Sequence, residues 1–86
     1  MYLHLGENTV VRDSEIIGVF DIENTSVSRD TREFLALAGK SGRSFNVSYE
    51  MPKSFIVCAD ENSRETVYIS QVSAATIRKR AKSGIE

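Results

Sequence analysis

Ser54-Phe55-Ile56-Val57-Cys58-Ala59 is the stretch on which the fold turns. It is short and almost continuously apolar, and polar turns bound it on both sides. Such a run reads as a strand buried within a sheet. Asp60-Glu61-Asn62-Ser63-Arg64-Glu65 follows as a polar link, and Thr66 to Ser70 returns as the last strand. On the other side, Ser44 to Tyr49 alternates, with Phe45, Val47 and Tyr49 against Asn46 and Ser48. Glu50-Met51-Pro52-Lys53 is the turn between them, since proline has a fixed φ and no donor and fits poorly inside a ladder. Tyr49 to Ile69 therefore reads as a three-stranded antiparallel meander with short links.

Working outward, Ile16 to Ile22 is the strongest strand signal of the first half, apolar enough to suggest burial on both faces. Before it, Tyr2 to Leu5 and Thr9 to Val11 flank Gly6-Glu7-Asn8 as a tight hairpin. Asp13 or Ser14 opens a single turn at the polar corner that follows. Ser28 reads as the cap of a helix over Arg29 to Ala38. That helix gathers Phe34, Leu35, Leu37 and Ala38 on one face and Asp30, Arg32 and Glu33 on the other. Gly39 or Gly42 ends it. Ser73 caps a closing helix, Ala74 to Lys82, whose last turn is cationic. The expected architecture is α+β: one domain over residues 1–86, a small antiparallel sheet with one inserted amphipathic helix and a short C-terminal helix.

A chain of 86 residues buries only about 60 % of its unfolded surface or slightly more, which makes a marginal core. Cys58 is the single cysteine, so no disulfide framework helps, and no metal-ligand cluster is apparent. Small domains without such staples often gain stability by oligomerising. The formal net charge is -1, but it is unevenly spread: residues 1–33 carry seven acids against three bases, and residues 34–86 carry eight bases against five acids. That polarity suits alternating faces in an assembly or a polarised monomer. Met-Tyr-Leu-His-Leu-Gly lacks the features of a signal peptide, and no run approaches membrane-spanning length. A cytoplasmic location is expected, with no cofactor, no membrane partner and no small-molecule substrate.

The sharpest local feature is Ile77-Arg78-Lys79-Arg80-Ala81-Lys82. Ile77 and Ala81 share one helical face, leaving Arg78, Lys79, Arg80 and Lys82 for an anionic partner, with nucleic acid the first candidate. Two other readings stay open: a solvated helix end whose cations complement its own dipole, or pairing with the acidic half of a neighbouring subunit. Lys40, Arg43 and Lys53 form a second, scattered basic group, either nucleic-acid contacts or ordinary surface cations. Lys40-Ser41-Gly42-Arg43 lacks the context of a phosphate-binding loop. His4 stands alone on its strand and reads as a sheet-face or subunit-contact residue. Cys58 reads as a core thiol. The acids at Asp21-Glu23 and Asp60-Glu61 read as solvated strand ends. Tyr49 and Tyr68, on neighbouring expected strands, read as a packing pair. No nucleophile–base constellation appears, so an enzyme is not expected.

Tyr2-Leu3-His4-Leu5-Gly6, Glu15-Ile16-Ile17-Gly18-Val19-Phe20-Asp21, Pro52-Lys53-Ser54-Phe55-Ile56-Val57, and Tyr68-Ile69-Ser70 leading into Ser73 to Lys82 resemble, in order and spacing, the RemA/RemB family of bacterial extracellular matrix (biofilm) regulators. The likeness covers essentially the whole chain. It implies a cytoplasmic regulator of matrix genes, a ring-like homo-oligomer that binds DNA along the ring, and a fold similar to the small LytTR DNA-binding domain. One departure matters. The resemblance implies a DNA-contacting arginine pair in the turn after the strand matching Ser44 to Tyr49. Here Met51 and Pro52 stand at those positions, after Glu50, with only Lys53 cationic nearby.

The expectation is a non-enzymatic transcription regulator that forms a ring and grips DNA through Lys40, Arg43, Lys53, Arg78, Lys79, Arg80 and Lys82. The alternative is a protein-interaction subunit that assembles with itself or with a related regulator without touching DNA.

Overall fold

A computed structural model describes residues 2–22 and 29–85, with side chains through residue 81. The elements in chain order are β1 (Tyr2–Gly6), β2 (Thr9–Arg12), a 3-10 turn (Asp13–Glu15), β3 (Ile16–Asp21), α1 (Arg29–Lys40), β4 (Ser44–Asn46), β5 (Ser54–Ala59), β6 (Glu65–Ser70) and α2 (Ala74–Ile85). β1 and β2 form an antiparallel hairpin, and the other four strands form one sheet in the order β3-β5-β6-β4. The α+β class and both helices are as the sequence indicates, while the sheet is mixed rather than purely antiparallel.

The sheet is built outward from β5. Its Phe55 and Val57 join Val67 and Ala38 in a core under α1, with Phe34, Leu35, Ile22 and Ile69 packed at its margin. Its Ile56 and Cys58 point the other way, into a core with Leu3, Leu5 and Val11 of the hairpin, Val47, and Ile77 of α2. The molecule is thus three layers: α1, the sheet, then the hairpin with α2. Both faces of β5 are covered, which explains why its sequence lacks the polar alternation of a half-exposed strand.

Two expectations fail in instructive ways. The meander does not form, because β4 pairs with β6 in parallel and never meets β5. Val47 N donates to Ile69 O at 2.9 Å and Lys53 N to Ser70 O at 2.8 Å. The connection between them therefore passes under the C-terminal end of β6, and β5 enters on the far side. β3 and β4 run in the same direction and are joined through α1, a helical crossover of the kind that parallel strands require. The β5–β6 hairpin fills the space between them. The regular strand also ends at Asn46, not Tyr49.

β3 is the second correction. It lies at the sheet edge, so it is not covered on both faces: Ile17 is 62 % exposed and Phe20 45 %. The register with β5 shifts between Ile16 and Gly18, which turns Ile17 outward. Phe20 folds back over its own strand and stacks on Phe55, centroids 4.9 Å apart. A Cβ at residue 18 would sit 2.7 Å from the Phe20 ring, so glycine makes room for that stack.

Helix ends follow their chemistry. α1 terminates at Gly42, not Gly39, with φ +72°. Arg43 N reaches Ala38 O at 2.9 Å and Gly42 N reaches Gly39 O at 3.2 Å, the paired bonds of a Schellman motif. Ser73 Oγ accepts from Thr76 N at 3.2 Å and caps α2 as expected. Ser28, expected to cap α1, lies outside the described residues.

A buried polar node ties the layers together. Ser54 and Ser70 face each other across β5 and β6, and both are buried. Ser70 Oγ donates to Leu5 O at 2.6 Å and accepts from Val72 N at 3.0 Å. Ser54 Oγ donates to Val72 O at 2.7 Å. Both polar groups of the Val72 backbone are satisfied by serine side chains, and the hairpin is anchored to β6 at the same point.

Candidate nucleic-acid interface

α2 lies in the trough between β1 and β3. Ala74 and Ile77 are buried and Ala81 packs at the margin of the same core. A helix with that inner stripe places residue 78 on one flank, residue 80 on the other and residue 79 outward. The bonds match. Arg78 Nη2 donates to Val19 O of β3 at 2.6 Å. Arg80 Nη1 donates to His4 O of β1 at 3.1 Å. The two arginines straddle the helix and fasten it to the strands beside it. Lys79 is exposed. The side chain of Lys82 lies outside the described residues.

The second basic group is divided. Arg43 sits where α1 hands over to β4, and its Nη1 donates to Glu65 Oε1 at 3.2 Å. Lys40 is exposed on the last turn of α1. Lys53 is also exposed, but its backbone bonds to Ser70 at the opposite end of β6. Arg43 O bonds to Val67 N, so the two positions are three residues apart along β6, roughly 10 Å. α1 and α2 occupy opposite faces of the sheet. The six candidates whose side chains are described therefore do not converge on one surface of a single copy: Lys40 and Arg43 share one corner, Lys53 another, and Arg78, Lys79 and Arg80 lie along α2.

The remaining candidates take plain positions. His4 is exposed on the outer face of the hairpin. Cys58 is buried, and burial pushes its thiol up to about 11, with Glu15 adding in the same direction. Asp60 organises the β5–β6 turn, its Oδ1 accepting from Asn62 N at 2.8 Å and Arg64 N at 2.9 Å. Tyr68 does not pack on Tyr49. Its ring meets Phe45 edge-on with centroids 5.8 Å apart, because Phe45 is its neighbour in the parallel ladder. Among the described residues no group of three His, Cys, Asp or Glu side chains is placed to hold a metal, and no helix is long and apolar enough to cross a membrane.

What the sequence reading missed is apolar. Tyr49 is fully exposed and Met51 is 83 % exposed in the turn under β6. Across the molecule, Phe20, Phe34, Phe55 and Val57 line an open cleft of about 270 Å³ between β3 and the start of α1, with Asp30 and Thr31 at its rim. A methionine beside proline in an otherwise polar turn was the available signal for the first. Nothing local in the sequence marks the second, since its walls come from three elements.

The chain is 35 % identical over 83 residues to Extracellular matrix regulatory protein B of Bacillus subtilis (strain 168), covering 95 % of this chain and 91 % of that protein. The family described as RemA-like, Extracellular matrix regulatory protein A-like, matches residues 2–81. That span runs from the first residue of the hairpin to the inner stripe of α2 and takes in every layer of the fold. The chain belongs to the RemA-like family of extracellular matrix regulatory proteins.

Proposed function

We infer that this protein regulates extracellular matrix gene expression as a self-assembling, ring-like DNA-binding regulator. The observation that carries the reading is the match along nearly the whole chain to Extracellular matrix regulatory protein B. Physical chemistry supports a particular form of it. Lys40, Lys53 and Lys79 are exposed but scattered, so one copy offers DNA only isolated contacts. Repetition turns such contacts into a usable grip, because each further copy binds at a high effective concentration once the first has landed. A LytTR-like architecture is part of the same proposal.

A second reading is favoured by a specific observation. Two of the terminal arginines hold backbone carbonyls of their own chain, and Met51 and Pro52 replace the arginine pair that the family resemblance implies. In this reading the protein acts by assembling with itself or with a related regulator and leaves DNA to its partner.

Mobility-shift titration with duplex DNA at two salt concentrations separates the two. Direct binding gives a shift at low salt that weakens with a log–log slope of about -0.9 per phosphate contacted. It also weakens in Lys79→Ala, Lys40→Ala and Lys53→Ala without loss of fold. No shift at low salt, or a shift indifferent to all three substitutions, refutes direct contact and leaves the protein-interaction reading.

A further inference from the structure

We propose that the outer face of the β1–β2 hairpin, with Lys79 of α2 beside it, binds single-stranded DNA: bases stack on Tyr2 and His4 while Arg12 and Lys79 hold phosphates. This surface is separate from the Lys40 and Lys53 corners and takes a different form of nucleic acid. Only the choice of DNA over RNA rests on the reading above, since a regulator that grips duplex DNA meets unpaired bases wherever that duplex opens.

The hairpin turns Leu3, Leu5 and Val11 into the core. Strand alternation therefore sends Tyr2, His4, Val10 and Arg12 outward, and all four are exposed, Tyr2 at 65 %. The ladder sets Tyr2 opposite Arg12 and His4 opposite Val10. The Arg12 guanidinium lies over the Tyr2 ring, 5.9 Å from its centroid. α2 runs along the other edge of β1, fastened there by the Arg80 bond to His4 O, and Lys79 is exposed on the side of that helix away from the core. Across this layer the order is α2, β1, β2, so an aromatic row on β1 has a cation to each side. Glu15 and Glu61 are the acids that face Arg12 and moderate its charge. Arg78 and Arg80 each commit one nitrogen to a carbonyl and keep their charge. They strengthen the positive field on the α2 side without releasing the helix.

The rings select the partner. Cations alone attract any polyanion, but an exposed ring adds a flat surface that every base matches. In a duplex the bases stack on one another, so stacking on a side chain takes unpaired bases. Tyr2 and His4 stand two residues apart on one face, roughly 7 Å, within reach of adjacent nucleotides of an extended strand. The paired backbone of β1 holds both rings in place before binding, which lowers the ordering cost. An acidic peptide would satisfy the cations and leave the rings unmatched.

The test is fluorescence anisotropy with a labelled oligo(dT) of about 12 nucleotides, run beside the duplex titration. Wild type is expected to bind it at low salt, with a log–log salt slope of about -0.7 per phosphate held. Tyr2→Ala should raise the dissociation constant roughly fivefold or more, and Tyr2→Phe should keep most of the affinity. Arg12→Ala should flatten the salt slope. Tyr2→Ala should leave the duplex shift unchanged and move the thermal melt no more than an ordinary surface change does. Oligo(dT) carrying iododeoxyuridine should photocross-link to the peptide that holds Tyr2. No oligo(dT) binding beside a clear duplex shift, an indifferent Tyr2→Ala, or a cross-link on Tyr49 in place of Tyr2 overturns this face and leaves the duplex reading standing. Oligo(dT) bound through Tyr2 with no duplex shift upholds the face and refutes duplex contact. If oligo(rU) binds more than about tenfold tighter than oligo(dT), the assignment to DNA is overturned. If none of the three binds, the face and the duplex reading both fall.

Discussion

Replacing Ser70 with alanine tests whether the serine node holds the hairpin to the sheet. The side chain is buried, donates to Leu5 O at 2.6 Å and accepts from Val72 N at 3.0 Å. Ser70→Ala removes one oxygen and leaves two backbone groups without those partners. Each orphaned buried group costs about 1–3 kcal/mol. Allowing for partial relaxation, the expected loss is about 2–4 kcal/mol. A domain of this size has a total stability of about 4–13 kcal/mol. A loss of that size corresponds to a fall in Tm of roughly 10–25 °C, at about 4–8 °C per kcal/mol. Ser54→Ala orphans only Val72 O and should cost about half as much. The two serines serve one backbone residue, so their effects should couple by about 0.5 kcal/mol or more in a double-mutant cycle. Urea and thermal unfolding by circular dichroism, at one fixed protein concentration, measure all three variants. A loss under about 0.5 kcal/mol in Ser70→Ala, the level of an ordinary surface change, refutes the node. So does strict additivity of the pair.

Arg78→Ala and Arg80→Ala should each lower stability by about 1 kcal/mol in chemical denaturation, because each removes a charged donor from a strand carbonyl. Lys79→Ala should change stability by less than about 0.5 kcal/mol. The Cys58 thiol, pushed up to about 11 from 9.0, stays protonated in the fold over a range where the unfolded thiol ionises. Stability is therefore expected to hold below pH 9 and to fall by as much as about 3 kcal/mol as pH climbs toward 11. Cys58→Ala should reduce that slope in unfolding curves taken across the window. Tyr68, also raised by burial, keeps part of it. Gly42→Ala should cost about 1–2 kcal/mol for the left-handed backbone alone, since nothing lies within 4 Å of the added methyl. Gly39→Ala, equally uncrowded but helical, should stabilise by about 0.5–1 kcal/mol in the same melts.

The sequence was legible where one residue decides a local outcome. The buried run at β5, the Ser73 cap, the hairpin at Gly6 and the inward stripe of Ile77 and Ala81 are all set by neighbours in the chain. The pairing of β4 was not legible, because a turn ending in Pro52-Lys53 is compatible with doubling back beside β4 or with passing beneath another strand. Only the hydrogen bonds of Val47 and Lys53 to the end of β6 distinguish the two. β3 shows a related limit. Apolar residues signal burial, but Ile17 and Phe20 lie on an edge strand, where one copy leaves them half uncovered. The basic candidates were found by composition alone. Composition cannot tell that Arg78 and Arg80 flank a helix docked in a trough while Lys79, between them, faces water.

The duties of those arginines constrain how any polyanion can be held. A phosphate that captured Arg78 or Arg80 would first have to strip a bond to β3 or β1. It would also loosen the helix whose Ile77 fills the core between sheet and hairpin. Phosphate binding at these positions is thus coupled to undocking of α2, and the coupling opposes binding. Lys79 carries no such penalty, and neither do Lys40 and Lys53 on their separate corners. Among the sequence candidates with described side chains, Lys40, Lys53 and Lys79 are the exposed lysines, and they stand on separate corners of one copy. Screening at physiological salt reaches about 8 Å, shorter than the length of strand between the corners of β6. Cations spaced beyond that distance act as independent weak sites on one copy. They act as a continuous track only when neighbouring copies bring like corners into line.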